Sequence, residues 1–360
     1  MKAIAVRQGE SKPSVIDVPE PTPDENEVLV RTLRVGIDGT DHEVIQGNHG
    51  GFPDGADYQI LGHEAVGVVV DGTATSFEEG DLVVPAVRRP PTTGWNEYFE
   101  QDEPDMAPSG EYVERGIAGA HGYMAEYFTS RERYLVPVPD EFAEYGFLVE
   151  PISNSEKAVA HAFASRSAFN WSPESALVLG NGPLGLLTLA MLGQSHGPYN
   201  EFDRTYCLGR RDRPDKTIDI IERLGATYID SRETPVPDIP GEHEPIDFVY
   251  EATGYAKHAF ETVDALAPNG VGVLLGLPEE WTFDIDGGRL HRNMVLENKA
   301  LFGSVSSHIP HFEAAKESLA AFPEWFIQEL ITDIYAPDDA AQAFETSDSS
   351  IKTVIEFDTL

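Results

Sequence analysis

A single cysteine in 360 residues, Cys207, excludes an internal disulfide and a cysteine-based zinc knuckle. Basic residues are scarce too: 25 Lys and Arg face 62 Asp and Glu, for a formal net charge of −37. A surface of that sign repels nucleic acid and anionic membranes, so neither is an expected partner. Lysine is the rarer base, 8 against 17 arginines. No stretch reaches the roughly 18 apolar residues of a membrane-spanning helix. The opening MKAIAVRQGE alternates like a strand and lacks a secretory apolar run. A cytoplasmic protein is expected, with Cys207 in a strand as a small apolar residue.

What is present argues for a folded chain. The hydrophobic fraction is 41%, with 18 Phe and 13 Tyr, more than a charge-extended disordered chain carries. The length suits two domains. Carboxylates at this density repel one another in dilute buffer. In about 1 M salt the Debye length falls to roughly 3 Å and the repulsion is screened. The composition therefore suits a cytoplasm holding molar salt.

The first 150 residues carry short strand-like runs, KAIAV, EVLVRTLRVG, AVGVVV and DLVVPAV, broken by turn residues. Between Pro90 and Gly116 no period is visible, which predicts a lid, an excursion or a disordered loop. From Glu156 the pattern changes: EKAVAHAFASRSAF has helical spacing. Strand-like TYCLG, TYID, DFVYEATG, VGVLLGL and ALFGSV then alternate with helical DKTIDIIERLG and AKHAFETVDALAPNG. That alternation predicts an α/β fold, a doubly wound parallel sheet beside a β-rich domain. The final IKTVIEF is expected to complete the first domain. The boundaries follow: residues 1–155 with 308–360, and residues 156–307.

Gly180, Gly182 and Gly185 fit G-x-G-x-x-G between the strand ALVL and the helix former LGLLTLAML. The glycines permit a tight turn, close approach of a pyrophosphate and close helix packing, and the helix N-terminus favours phosphate charge. Asn181, Pro183 and Leu184 complete the loop. About twenty positions on, where an acidic residue would grip a ribose hydroxyl, Gly209 is followed by Arg210, Arg211 and Arg213. Guanidinium forks suit a 2′-phosphate, so NADP is the preferred cofactor and NAD the alternative; pairing with Asp212 and Asp215 is the competing explanation for these arginines. Two further strand ends, Leu275, Gly276 and Leu277, and Gly303, Ser304 and Val305, are candidate cofactor walls.

GIDGTDHE (Gly36 to Glu43) packs three carboxylates and a histidine into eight positions, and LGHEAVG follows. In so acidic a chain, carboxylates alone would read as a solvated loop. Together with EP at Glu150, the nucleotide loop and GAHGYMAEY, the set resembles the zinc-dependent medium-chain alcohol/polyol dehydrogenase family. VRRP, ERGI, EPIS and LGRRDRP are similar to its archaeal glucose dehydrogenase branch. The resemblance covers nearly the whole chain.

The resemblance implies a GroES-like catalytic domain, a Rossmann domain and one catalytic zinc. Asp38, His63 and Glu150 match the ligand positions, with Glu64 able to approach the metal directly or through water. Carboxylate oxygen and imidazole nitrogen both bind zinc, and a catalytic site needs three protein ligands and one open position. Relatives commonly carry cysteine where Asp38 stands; the harder oxygen donor lets Mn²⁺ or Mg²⁺ compete. Many also hold a structural zinc on four cysteines in the lobe at residues 90–116. None is present here, so that lobe is either mobile or held by packing and polar contacts. Asp41 and Glu43 are expected to be structural.

By the same resemblance, Thr40, Glu114, Glu150 and Asn154 contact sugar hydroxyls, and Thr40 could relay a proton. Ser306 stands where an asparagine commonly reaches the substrate. The implied activity is glucose 1-dehydrogenase: oxidation of an aldose at C1 to the lactone with hydride transfer to NADP. Other polyol, alcohol or threonine dehydrogenases, a metal-free quinone reductase and a non-catalytic binding protein are the rivals. A homodimer or homotetramer joined through the strand ALFGSV would hide a sheet edge. The charge balance predicts that the melting temperature and activity, held in molar KCl, fall on dialysis into dilute buffer; a thermal melt across a salt series checks this.

Overall fold

Residues 1–194, 202–345, 347 and 349–360 are described by the structure, a computed structural model. They form two compact units, Met1–Ser153 with Ser306–Leu360, and Asn154–Val305.

The first unit is β-rich, as its alternating runs predict. The long strand Glu27–Ile37 is central, with Glu64–Asp71 on one side and Lys352–Glu356 on the other. Leu82–Pro85, Leu135–Val138, Tyr127–Arg131 and Ile331–Tyr335 extend this sheet to seven strands among the described residues. A second sheet joins Ser14–Asp17, Lys2–Arg7 and Tyr58–Ile60. Ile4, Val28, Val30, Val35, Leu61 and Val69 fill the core. The C-terminal IKTVIEF thus returns to the first unit: Val354 lies opposite Gly36.

The lobe after Pro90 has short elements: a helical turn Glu97–Glu100, a 3₁₀ turn Pro104–Met106 and a strand Val113–Arg115. Phe99, Ala107 and Tyr134 form a small core under it. Asn96 caps the helical turn and donates to the Glu111 carbonyl at 2.7 Å. Of the two expectations for this lobe, packing and polar contacts hold.

The second unit contains a six-stranded parallel sheet among the described residues, ordered Thr227–Asp230, Arg204–Gly209, Ser175–Leu179, Ile246–Glu251, Leu266–Leu274, Ala300–Gly303. That is the 3-2-1-4-5-6 order of a dinucleotide-binding sheet. Leu177, Leu179, Leu208, Ile229, Val249 and Leu266 pack one of its cores. Cys207 lies buried in the second strand, where burial pushes its thiol up to about 12. No described helix is long and apolar enough to cross a membrane.

Two boundaries differ from expectation. The helix expected from Glu156 runs Val149–Ser165. It begins directly after the 3₁₀ turn Gly146–Leu148, and Pro151 falls in its first turn, where no amide donor is needed. AKHAFETVDALAPNG is helical only over His258–Ala265 and continues as the strand Leu266–Leu274. Pro268 cannot donate to a helical ladder, and Asn269 takes a left-handed φ of 66°.

Gly36 is enclosed in the sheet. A β-carbon there would overlap Glu64 Oε2 and stand 2.9 Å from Phe147. Gly36→Ala is expected to cost about 1–3 kcal/mol, measured as a lowered unfolding midpoint at high KCl.

Candidate metal centre and nucleotide loop

Asp38 follows the central strand and caps the helix Gly39–Gln46. Its Oδ1 accepts from the amides of Thr40 (2.7 Å) and Asp41 (3.2 Å), and Asp41 Oδ2 accepts in return from the Asp38 amide at 3.1 Å. This reciprocal cap fixes Asp38 and leaves Oδ2 directed elsewhere. Asp41 is buried and also accepts from the Gly62 amide at 3.0 Å. Glu43 is exposed. His63 and Glu64 open the neighbouring strand, and Glu150 lies in the first turn of Val149–Ser165. Both histidine and glutamates are at least nine-tenths buried.

These residues converge on one imidazole. Asp38 Oδ2 lies 3.7 Å from His63 Nε2. Two groups of ligand atoms each fall within 4.8 Å of one another: Asp38, Asp41 and His63, and His63, Glu64 and Glu150. His63 Nδ1 is buried without a hydrogen-bond partner. Burial lowers the imidazole pKa, but Asp38, Glu150, Asp41 and Glu64 outweigh it and push it up to about 9. Asp41 is pushed up to about 7, chiefly by burial. Burial also raises Asp38, yet His63, Lys352 and the two capping amides together hold it below the usual carboxylate range.

Glu64 has a partner that sequence patterns miss. Lys352, from the far side of the central strand, forms a buried ion pair with Glu64 Oε2. The two flanking strands meet across Gly36, whose missing side chain leaves the passage open. Burial raises the Glu64 pKa and Lys352 opposes the rise. The available signal is Lys352 itself, a lone cation in phase with Val354 in an apolar strand.

Of the sugar-contact candidates, Thr40 is half-buried and its Oγ1 donates to Asp38 Oδ2 at 3.4 Å. Glu114 is buried and pairs with Arg88, Nε to Oε1, at 3.0 Å. Ser306 is half-buried, with a left-handed φ of 57°. Asn154 follows Glu150 by one turn on the same helix. Asp105, His308 and His311 form a further cluster with Asp105 Oδ1 2.6 Å from His308 Nδ1. This cluster sits at the start of the helix Ile309–Ala321. There the macrodipole favours the carboxylate and disfavours a cation, so it docks the lobe onto that helix.

In the second unit, Gly180 follows the strand Ser175–Leu179 with φ 118°, and a β-carbon on Gly185 would collide with the Gly180 carbonyl oxygen. Strand and helix therefore approach as closely as the glycine spacing implies. The helix Pro183–Leu192 starts at Gly182. Asn181 donates to Thr217 Oγ1 at 2.7 Å. Gly209 ends the second strand, Arg210 is exposed, and the Arg211 amide donates to the Tyr228 hydroxyl at 2.8 Å. Arg213 pairs with Glu222, not with Asp212 or Asp215. Asp212 is held by Arg232, and Asp215 caps the next helix. Leu275, Gly276 and Leu277 follow the fifth strand, and Gly303, Ser304 and Val305 end and follow the sixth. All lie at carboxyl ends of parallel strands, where such sheets bind ligands.

Comparison with known proteins agrees with both units. Residues 24–140 match the alcohol dehydrogenase GroES-like domain and residues 143–357 the glucose dehydrogenase C-terminus. The chain belongs to the glucose dehydrogenase family. It is 62% identical over 360 residues, all of both chains, to glucose 1-dehydrogenase of Haloferax mediterranei. Against the Halobacterium salinarum glucose 1-dehydrogenase it is 58% identical over 363 residues, again covering both chains fully. A solved structure of the Haloferax mediterranei enzyme, in complex with NADP, Zn and gluconolactone, superposes with a TM-score of 0.98 over 100% of each chain. The α/β class, with a β-rich GroES-like part and a Rossmann-like parallel sheet, is that of the medium-chain dehydrogenases.

The residues present fit a divalent ion. An imidazole with an unpaired ring nitrogen stands among four buried or half-buried carboxylates, and Lys352 offsets one of their charges. Oxygen and nitrogen donors of this kind suit zinc. Because His63 holds its proton up to about pH 9 in the absence of metal, zinc must displace it. Between pH 7 and 9, zinc uptake by metal-free protein is therefore expected to release about one proton and to tighten as pH rises. Calorimetry in two buffers of different ionisation heat measures this; zero release would remove His63 from the ligand set.

Proposed function

We propose that this chain is a glucose 1-dehydrogenase. It oxidises β-D-glucose, and other aldoses of like hydroxyl pattern, at C1 to the aldono-lactone and reduces NADP, with NAD as the weaker cofactor. The observation that carries the reading is the convergence of Asp38, Glu64 and Glu150 on His63, in a family whose Haloferax mediterranei member was solved with NADP, Zn and gluconolactone.

One catalytic zinc, held by Asp38, His63 and Glu150 with Glu64 in reach, would supply positive charge that lowers the pKa of a sugar hydroxyl. The chain's own groups do the rest. Asp38, locked by its helix cap, keeps one carboxylate oxygen facing His63. Thr40, whose hydroxyl donates to Asp38, relays the C1 hydroxyl proton, taking it up as its own moves on toward solvent. The C1–H electron pair then leaves as hydride to C4 of the nicotinamide, and C1 becomes the lactone carbonyl. Glu114, Glu150, Asn154 and Ser306 bind the remaining hydroxyls. A site built from such groups rejects simple alcohols, which would leave buried polar atoms unpaired. Serine at position 306 is shorter than the usual asparagine and relaxes the choice between hexose and pentose.

We assign the first unit the catalytic role and the second the NADP-binding role. Gly180, Asn181, Gly182, Pro183, Leu184 and Gly185 cradle the pyrophosphate. Arg210 and Arg211 face the 2′-phosphate, and Gly209, the Leu275–Leu277 segment and the Gly303–Val305 segment line the remainder. A homodimer through the edge strand Ala300–Gly303 is supported by the adjoining helix Gly287–Leu296, on which Val295 and Leu296 are 62% and 64% exposed. A cytoplasmic location is supported by a charge balance suited to molar intracellular salt. Initial rates in high KCl with glucose, galactose, xylose and ethanol, against NADP and NAD, before and after chelation, test the whole. Glucose with NADP should be fastest and chelation should abolish it; full activity after chelation would select the quinone-reductase reading.

A further inference from the structure

Arg88, just before the lobe, is 2% exposed in a chain poor in positive charge. It sits on the short strand Arg88–Arg89, directly opposite Glu114 on Val113–Arg115. Its Nε donates to Glu114 Oε1 at 3.0 Å. On the other side of the fork, Nη1 donates to the carbonyls of Asp105 at 3.0 Å and Pro104 at 3.2 Å. The guanidinium lies 3.6 Å from the centre of the Tyr112 ring. Two backbone carbonyls, an aromatic face and a carboxylate thus define its position from different directions. A lysine could satisfy the charge but not the fork.

The 3₁₀ turn that supplies those carbonyls is itself held. Asp105 meets His308, two residues beyond Ser306. Ser307, between them, is buried against Ser153 at 2.5 Å, and Ser153 donates to the Glu150 carbonyl at 2.5 Å. The lobe that lacks a cysteine-bound metal is therefore clasped between Arg88 and His308.

We propose that Arg88 is a positioning residue for sugar recognition. It presents Glu114 as a fixed acceptor of a sugar hydroxyl, and the carbonyls of Pro104 and Asp105 in turn fix Arg88. This rests on the reading of Glu114 as a sugar contact. Selectivity among aldoses then depends on how the lobe folds back onto Arg88.

The test is a cycle of variants, Glu114→Gln, Arg88→Lys, Arg88→Met and the double Arg88→Met/Glu114→Gln, assayed at saturating NADP in molar KCl, with a thermal melt on each. Glu114→Gln is expected to raise KM for glucose about tenfold, and Arg88→Lys to raise it by a similar factor, with kcat and KM for NADP within about twofold of the parent, the pattern of lost uniform binding. The double variant should be no worse in glucose KM than Glu114→Gln alone, because Arg88 acts through Glu114. Multiplying effects in the double variant, or an unchanged glucose KM in Arg88→Lys, would overturn the proposal while leaving Glu114 as a sugar contact. An unchanged glucose KM in Glu114→Gln would overturn that contact, and the role of Arg88 with it. If Arg88→Met does not fold, Arg88→Lys combined with Glu114→Gln serves as the double variant.

Discussion

Several carboxylates aimed at one buried imidazole form the constraint around which the first unit is arranged. Such a cluster is unfavourable by itself, since each charge is desolvated and most repel one another. The protein tolerates it through three local devices. A helix cap pins Asp38 with two amides. Burial lets Asp41 hold its proton near neutrality. An ammonium group brought from the C-terminal strand neutralises Glu64. Each device is built from backbone geometry, which explains why the centre lies where three strands and two helix starts come together.

The helix caps also show how structural and chemical roles coincide. Asp38 is both the N-cap of Gly39–Gln46 and a candidate ligand. One carboxylate oxygen serves the helix and the other faces the imidazole. The orientation of the candidate ligand is thus inherited from secondary structure. In the second unit backbone geometry is equally decisive at Gly185, whose lack of a side chain sets the strand-to-helix distance.

Much of this is legible without coordinates, for physical reasons. The spacing of Gly180, Gly182 and Gly185 is readable because only glycine satisfies the turn and the close packing. The alternation of strand and helix patterns is readable because periods of 2 and 3.6 differ. The ligand candidates emerge from family resemblance, since charge enrichment hides them in so acidic a chain. What stays hidden depends on long-range pairing. Lys352 and Glu64 are joined only once three strands are in register, and Arg88 with Pro104 and Asp105 only once the lobe folds back. The lobe itself has no period because its order comes from side chains gripping carbonyls. The start of the helix at Val149 is obscured by Pro151, which is harmless in a first turn but looks like a breaker in a linear pattern.

The placement of lysine carries a consequence for how the molecule meets its solvent. Lys157, Lys299 and Lys352 are buried. Two of them cap carbonyls, of Val305 at 3.0 Å and of Val263 at 2.9 Å, and the third neutralises Glu64. Three of the eight lysines thus hold interior posts. The outer shell is largely an anionic lattice that must recruit alkali cations to approach neutrality. The particle that diffuses is then the polypeptide together with a diffuse sheath of counter-cations.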